Sequence, residues 1–233
     1  MERRKLYTLG YTLFQNGAVI EIEKMFKTLK EFNVTHLIDV RSMPYSKQYP
    51  QCNADNLKVA SKHFSISYGH MPELGAKASP MQEVFSKASD IFFESIFPIS
   101  KSNRPEDTEL CADEEIVDFQ KFRNDEFFLD GIKRLEKAYD NNCTLALMCS
   151  EKSPIDCHRY FLISKVIEQK YGDWLDIEHI IKNQNGIIET VSNANLNKQL
   201  SEIILNKSEI KKLDILSSSI FGAAKIDNYF GRN

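Results

Sequence analysis

Residues Thr144–Tyr160 read Thr-Leu-Ala-Leu-Met-Cys-Ser-Glu-Lys-Ser-Pro-Ile-Asp-Cys-His-Arg-Tyr, and the reading of this stretch decides the fold. The apolar run Thr144 to Met148 has the length of a strand buried on both faces and is too short for a helix. Cys149 and Glu151 follow it directly. Ser153-Pro154-Ile155-Asp156 then reads as a helix start, with Ser153 as the cap, Pro154 at the first helical position and Asp156 closing a capping box. On a helix from Pro154 to about Lys170, Ile155, Leu162, Ile163, Val166 and Ile167 make one apolar stripe. His158 and Arg159 lie one turn earlier on it. Cys149, Glu151, His158 and Arg159 are thus expected in one small volume at a strand end, beside a positive helix terminus suited to an anion.

Working outward, the same strand-then-helix rhythm recurs. Lys5–Gly10 is a predicted strand, and Gly17–Phe32 carries apolar positions at helical spacing. Thr35–Val40 is a second strand, a short helix from Asn53 or Asp55 to about Lys62 follows, and Ser65–Tyr68 is a third strand. A helical pattern runs from Asp113 to Tyr139 with a break near Asn124-Asp125, and Leu175–Ile180 is the final predicted strand. Alternation of this kind gives the class α/β, a mostly parallel sheet flanked by helices. Residues 76–112 interrupt it as a helical insertion after strand 3, a candidate lid over a pocket or extra core packing. The division expected is an α/β domain over residues 1–182 and a C-terminal extension, 183–233, packed on it, with a turn at Asn183–Gly186 and a helix over Asn195–Leu205.

The chain has 233 residues, 42% hydrophobic, enough to bury a full core. A formal charge of −3 and a pI near 6.0 carry no signature of non-specific nucleic-acid binding, though a local basic groove stays open. No apolar run approaches a membrane span, and the start shows no signal-peptide core. Five cysteines without a close-set framework fit reduced thiols and a cytoplasmic location.

In a parallel sheet, ligands bind outside the carboxyl ends of the strands. The polar residues after the predicted strands are Thr12, then Asp39 and Arg41, then His70 and Glu73, then Cys149 and Glu151. The candidate catalytic set is therefore Cys149, Glu151, His158, Asp39 and His70. The candidate substrate-binding set is Arg41, Arg159, Thr12, Tyr11 and Ser46. Cys149, near a helix start, a histidine and an arginine, is placed where a lowered thiol pKa is expected. Asp39 reads equally as half of a structural ion pair with Arg41 or Arg159. Cys149, Cys157 and His158 also admit a metal, but their spacing matches no compact zinc pattern, so no metal ligands are assigned.

The residues Tyr7–Thr12, Leu37–Ser42 with Pro44–Ser46, Pro50–Asn53 and Tyr68–Gly75 carry a resemblance, and so above all does the Cys-x-Glu-x-x-Pro-x-x-Cys-His-Arg core over 149–159. The chain resembles the DUF488 family, a family named for its unknown function. The resemblance implies a three-layer, Rossmann-like α/β fold with a shared pocket and supplies no reaction and no cofactor. Leu37–Arg41 is similar to a strand of rhodanese-like domains, yet their short loop from nucleophile to arginine is missing here, as is that of thiol phosphatases. The leading expectation is an intracellular enzyme acting on a small anionic substrate, a nucleotide or nucleic-acid base. The alternatives are a non-catalytic nucleotide or nucleic-acid binding module and a Cys/His metalloenzyme. Oligomeric state is not legible.

Overall fold

A computed structural model describes residues 3–75 and 123–206. The proposed insertion at 76–112 and the tail from 207 lie outside the described residues. The main sheet has six strands: β1 (Arg4–Gly10), β4 (His36–Asp39), β5 (Ser67–His70), β6 (Leu145–Cys149), β7 (Leu175–Lys182) and β8 (Ile188–Ser192). Their order is β5-β4-β6-β1-β7-β8. All neighbouring pairs are parallel except β7 with β8. A separate two-stranded ribbon pairs β2 (Gln15–Asn16) with β3 (Val19–Ile20).

The order explains why Thr144–Tyr160 organises the chain. From β1 the chain moves outward to β4 and β5, returns to fill the gap with β6, and then places β7 on the far side of β1. β6 is thus central, and all five of its residues are buried. Its alternate side chains feed two cores. Leu145, Leu147 and Cys149 face one layer, built from helix α3 (Glu126–Asp140), the helical segment Arg159–Tyr171 and helix α5 (Asn193–Asn206). Ala146 and Met148 face the other, where α1 (Ile22–Glu31) contributes Met25, Phe26 and Leu29, and α2 (Ala54–His63) contributes Leu57. This is a three-layer α/β fold, as the alternating pattern and the resemblance require.

Several boundaries differ, each for a local reason. The helix expected from Gly17 starts at Ile22, because Gly17 adopts φ 58° and turns the ribbon that leaves Val19 exposed. Ser65, at φ 52°, follows α2, and the third strand begins only at Ser67 and ends on His70. The break near Asn124-Asp125 is real: the Asp125 carboxylate accepts from the Phe128 N–H at 3.0 Å and caps α3. After the predicted turn, with Gly186 at φ 79°, the chain forms β8 as a hairpin partner of β7. That strand was not anticipated, although a turn of asparagines and glycine before Ile187-Ile188-Glu189-Thr190-Val191 is a hairpin signal.

The largest correction concerns the helix predicted from Pro154. Pro154–Asp156 is a single 3₁₀ turn, and Cys157 is extended at φ −137°, ψ 143°. Ser153 makes no side-chain cap bond, and the Asp156 side chain lies outside the described set. Helical structure begins at Arg159, runs as a π-helical turn to Ser164, and continues as α4 (Lys165–Tyr171). The Cys157 carbonyl, not a side chain, serves the first helical N–H groups, accepting from Tyr160 at 3.0 Å and Phe161 at 3.4 Å. The Ser164 hydroxyl donates to the Arg159 carbonyl at 2.7 Å across the wide turn. Leu162, Ile163, Val166 and Ile167 are all buried, so the predicted stripe holds from Leu162 on, whereas Ile155 lies on the separate 3₁₀ turn and is partly buried. No helix among the described residues is long and apolar enough to cross a membrane.

Candidate functional site

Cys149 ends β6 opposite Gly10 of β1. The extended residue at 157 and His158, which caps the helical segment from Arg159, bring two further groups to it. His158 Nδ1 lies 3.9 Å from Cys149 Sγ and 3.7 Å from Cys157 Sγ, and the three atoms all fall within 4.8 Å of one another. All three residues are buried. The two thiols are split electrostatically. A hydrogen bond from the Cys157 thiol holds the Cys149 pKa well below the ordinary thiol value against its burial, helped by His158 and by the positive charge of Arg159. Burial pushes Cys157 the other way, reinforced by the bond to Cys149. The surroundings thus favour the thiolate at Cys149 and the thiol at Cys157.

Arg159 is completely buried, and its work is internal. Its Nη1 donates to the Glu151 carbonyl at 2.6 Å and its Nη2 to the Lys152 carbonyl at 3.2 Å. The guanidinium therefore clamps the loop after β6, and Arg159 forms no ion pair among the described residues. Thr12 supports the same loop, its hydroxyl donating to the Ser150 carbonyl at 2.5 Å and its N–H at 3.3 Å. Gly10 is needed here: a Cβ would sit 1.6 Å from the Glu151 carbonyl oxygen. Glu151 thus contributes its backbone to the site. Its carboxylate is exposed and accepts from the Ser150 hydroxyl at 3.0 Å, so it does not join the buried three.

Asp39 and Arg41 lie on the opposite face. The Asp39 carboxylate is fully buried and accepts from Arg41 Nε at 2.8 Å, Arg41 Nη2 at 2.6 Å, the Arg41 N–H at 3.1 Å and the Tyr68 hydroxyl at 2.7 Å. Arg41 also donates to the Cys52 carbonyl at 2.8 Å and stands over the Tyr11 ring. Burial works against its charge, but the Asp39 carboxylate outweighs burial and raises its pKa. Burial pushes the Cys52 thiol up to about 12 and raises Tyr68, with Asp39 adding to the effect. Tyr11 is raised by burial and opposed by Ser46 and Arg41 beside it. Ser46 itself accepts from the Tyr49 N–H at 3.0 Å. His70 Nε2 bonds to the Arg41 carbonyl at 2.7 Å, and the buried carboxylate of Glu73 pairs with Arg134. Cys52, Tyr11 and Tyr49 belong to the core under α1 and α2, whereas Cys149 and Cys157 belong to the other.

The predicted residues thus sort into two groups on one edge of the sheet. Cys149, His158 and Arg159 are brought together, with Thr12 behind them. Asp39, Arg41, Tyr11, Ser46 and His70 form a second, ion-paired group on the other side of β4 and β6. The small volume expected from the sequence holds Cys149, His158 and Arg159 without the Glu151 carboxylate, and the polar residues of the other strand ends lie across the sheet from it, because strand side chains alternate between its faces.

Two buried basic residues were missed. His179 bonds Thr8 Oγ1 through Nδ1 at 2.7 Å and Asn193 Oδ1 through Nε2 at 3.0 Å, and burial lowers its pKa to about 3. Lys165 donates to Asn197 Oδ1, which also accepts from the Tyr160 hydroxyl at 2.6 Å, and burial lowers Lys165 to about 8 against the pull of Glu168. Lys165 follows Leu162 by three residues, so helical spacing alone put it on the buried face.

The fold and this edge define the class: a three-layer α/β protein whose chemistry-bearing groups gather at the carboxyl ends of a mostly parallel sheet. The family model described as "Domain of unknown function DUF488" matches residues 21–166, more than half of the chain, and the chain belongs to that family. A comparison with curated proteins and one with solved structures each returned no match.

Proposed function

We propose that the chain is an enzyme whose chemistry centres on Cys149, Cys157 and His158, acting on a small anionic substrate of the nucleotide or nucleic-acid base class presented at the carboxyl edge of β6. One observation carries this reading. Two sulfurs and an imidazole nitrogen meet within 4.8 Å where the central strand ends. Structural needs alone do not ask for three polar groups there, since apolar side chains of similar volume would fill the layer at less cost. The anionic substrate is favoured by Arg159, whose buried positive charge has no carboxylate partner among the described residues, and by the helical N-terminus that follows His158. Arg41 is the weaker candidate for that role, because Asp39 already neutralises it.

The test is turnover of a panel of nucleoside phosphates and modified bases by the full chain, with Cys149→Ser and His158→Gln set against Cys143→Ser, a variant on the opposite edge. The proposal expects at least about a 100-fold loss in kcat/KM for the first two, of the size that follows removal of a group acting in the transition state, and none for the third. Turnover unchanged in Cys149→Ser refutes it. Ligand binding by the parent chain and by both variants, with turnover in none of them, favours a binding module in its place.

A further inference from the structure

We infer that Cys149 Sγ, Cys157 Sγ and His158 Nδ1 form a three-ligand site for a zinc-class divalent cation, with the fourth position open to solvent or substrate. The inference rests on the reading that this cluster is the chemical centre, and it names what the cluster holds.

Geometry is the first argument. Zinc bound by sulfur at about 2.3 Å and nitrogen at about 2.0 Å in a tetrahedron sets its ligand atoms about 3.5–3.8 Å apart. The separations of His158 Nδ1 from the two sulfurs, 3.9 and 3.7 Å, exceed the sulfur–nitrogen spacing of about 3.5 Å by less than about 0.5 Å. No pair in the cluster exceeds 4.8 Å, so closure asks for side-chain shifts of about 1 Å at most.

The second argument is the donor set. Two sulfurs and an imidazole suit zinc and its borderline-soft neighbours, and they exclude magnesium and calcium, which take oxygen. Among the described residues no fourth histidine, cysteine or carboxylate joins the three. A Cys₂His set, which is what the described residues supply, is the ligand composition of catalytic zinc sites that leave the fourth position to water or substrate. Charge agrees. Two thiolates balance a divalent ion, and Arg159 remains as a cation beside them, favouring an anionic fourth ligand.

The third argument is how the ligands are held. The seven residues between the cysteines match no compact zinc module in sequence, but the fold removes that objection. Cys149 is fixed at the end of the central strand, and the loop that follows is clamped by Arg159 and Thr12 through three carbonyls. Cys157 is turned in by its extended backbone, and His158 begins the next helical segment. The ligands are therefore preorganised by backbone and second-layer contacts.

The experiment uses the full chain. Metal content is measured by mass spectrometry after purification under reducing conditions without chelator. The metal is then stripped, and the protein is titrated with Co(II) as an optical probe and with Zn(II) in competition. The expected result is one equivalent of metal, with thiolate-to-cobalt absorption of two-sulfur intensity. That absorption should fall to half in Cys149→Ser and in Cys157→Ser. Zinc affinity should fall more than about 100-fold in each and in His158→Ala, since even outer-layer partners are worth about 10- to 100-fold. Cys52→Ser and Cys143→Ser are expected to bind like the parent. Circular dichroism of each variant separates lost ligand from lost fold, and the halved absorption is readable even where affinity survives. Less than a tenth of an equivalent bound, two-sulfur absorption persisting in Cys149→Ser, or a Cys149–Cys157 disulfide in the reduced preparation each overturns the inference. Absent metal with Cys149-dependent turnover overturns this site alone and leaves the enzyme reading standing. Bound metal with no dependence of turnover on Cys149 supports the site and overturns the enzyme reading.

Discussion

Gly10→Ala isolates a single steric fact. Gly10 has φ −109° and ψ 133°, which alanine adopts freely, so its backbone conformation adds no strain. The new methyl carbon would lie 1.6 Å from the Glu151 carbonyl oxygen, 2.4 Å from its carbon and 3.1 Å from Arg159 Nη1. The neighbours are backbone and a buried guanidinium, so the loop after β6 has to retreat by more than about 1 Å, a local overpacking that costs about 1–3 kcal/mol. Retreat also weakens the Arg159 bond to Glu151 at 2.6 Å and the Thr12 bond to Ser150 at 2.5 Å, and a buried charge with a lost acceptor adds about 1–3 kcal/mol more. The smaller entropy of the unfolded alanine chain returns under about 1 kcal/mol. A net loss of about 4 kcal/mol is expected. For a chain of this size that lowers Tm by about 8–16 °C. Urea unfolding gives the free energy, and calorimetry gives the Tm. A variant within about 2 °C of the parent, with an unchanged urea midpoint, would refute the reasoning, because the loop would then not be pressed on the strand.

The other predictions follow from the same contacts. Asp39→Ala leaves Arg41 buried without its partner and should cost about 3–5 kcal/mol, whereas Asp39→Leu with Arg41→Met removes both charges and should recover most of that loss; a double variant no more stable than Asp39→Ala contradicts the ion-pair account. Thr12→Val removes one hydroxyl bond while the Thr12 N–H still serves Ser150, so the loss should stay near 0.5–1.5 kcal/mol, roughly a third of the Gly10→Ala effect; an equal loss would mean the hydroxyl, not the glycine, sets the loop. His179 has a folded pKa of about 3 against 6.5 unfolded, so the unfolded chain binds the extra proton between these values. Stability should therefore fall as pH drops below about 6.5, by at most about 1.4 kcal/mol per unit until about pH 3. His179→Gln should flatten that slope in urea unfolding at pH 7 and pH 5, and an unchanged slope would contradict the assignment.

The sequence made the fold legible wherever burial left a period to read. The all-apolar run ending at Met148, the stripe at Leu162, Ile163, Val166 and Ile167, and the break at Asn124-Asp125 are local signals that the tertiary structure keeps. Boundaries were lost where single residues override a period. Gly17 and Ser65 at positive φ moved two element starts, and Cys157 in extended backbone moved the helix from Pro154 to Arg159. The site was legible as a list of residues on one edge. Its division was not, because periodicity alone did not show that Asp39 and Arg41 face α1 and α2 while Cys149 faces α3. The arginines carried a second lesson. Their charge suggested a substrate, but Arg41 is bound to Asp39, the structural pairing the sequence also offered, and Arg159 to backbone carbonyls, which no side-chain pattern reveals.

The measurement that tests the central claim most directly is zinc-edge X-ray absorption of the zinc-loaded full chain. The account predicts a first shell of two sulfurs at about 2.3 Å and two lighter atoms at about 2.0–2.1 Å, one of them imidazole nitrogen, with one sulfur lost in Cys157→Ser. A shell of nitrogen and oxygen alone, or one indifferent to Cys157, would show that the ion binds elsewhere and that Cys149, Cys157 and His158 are not a metal centre.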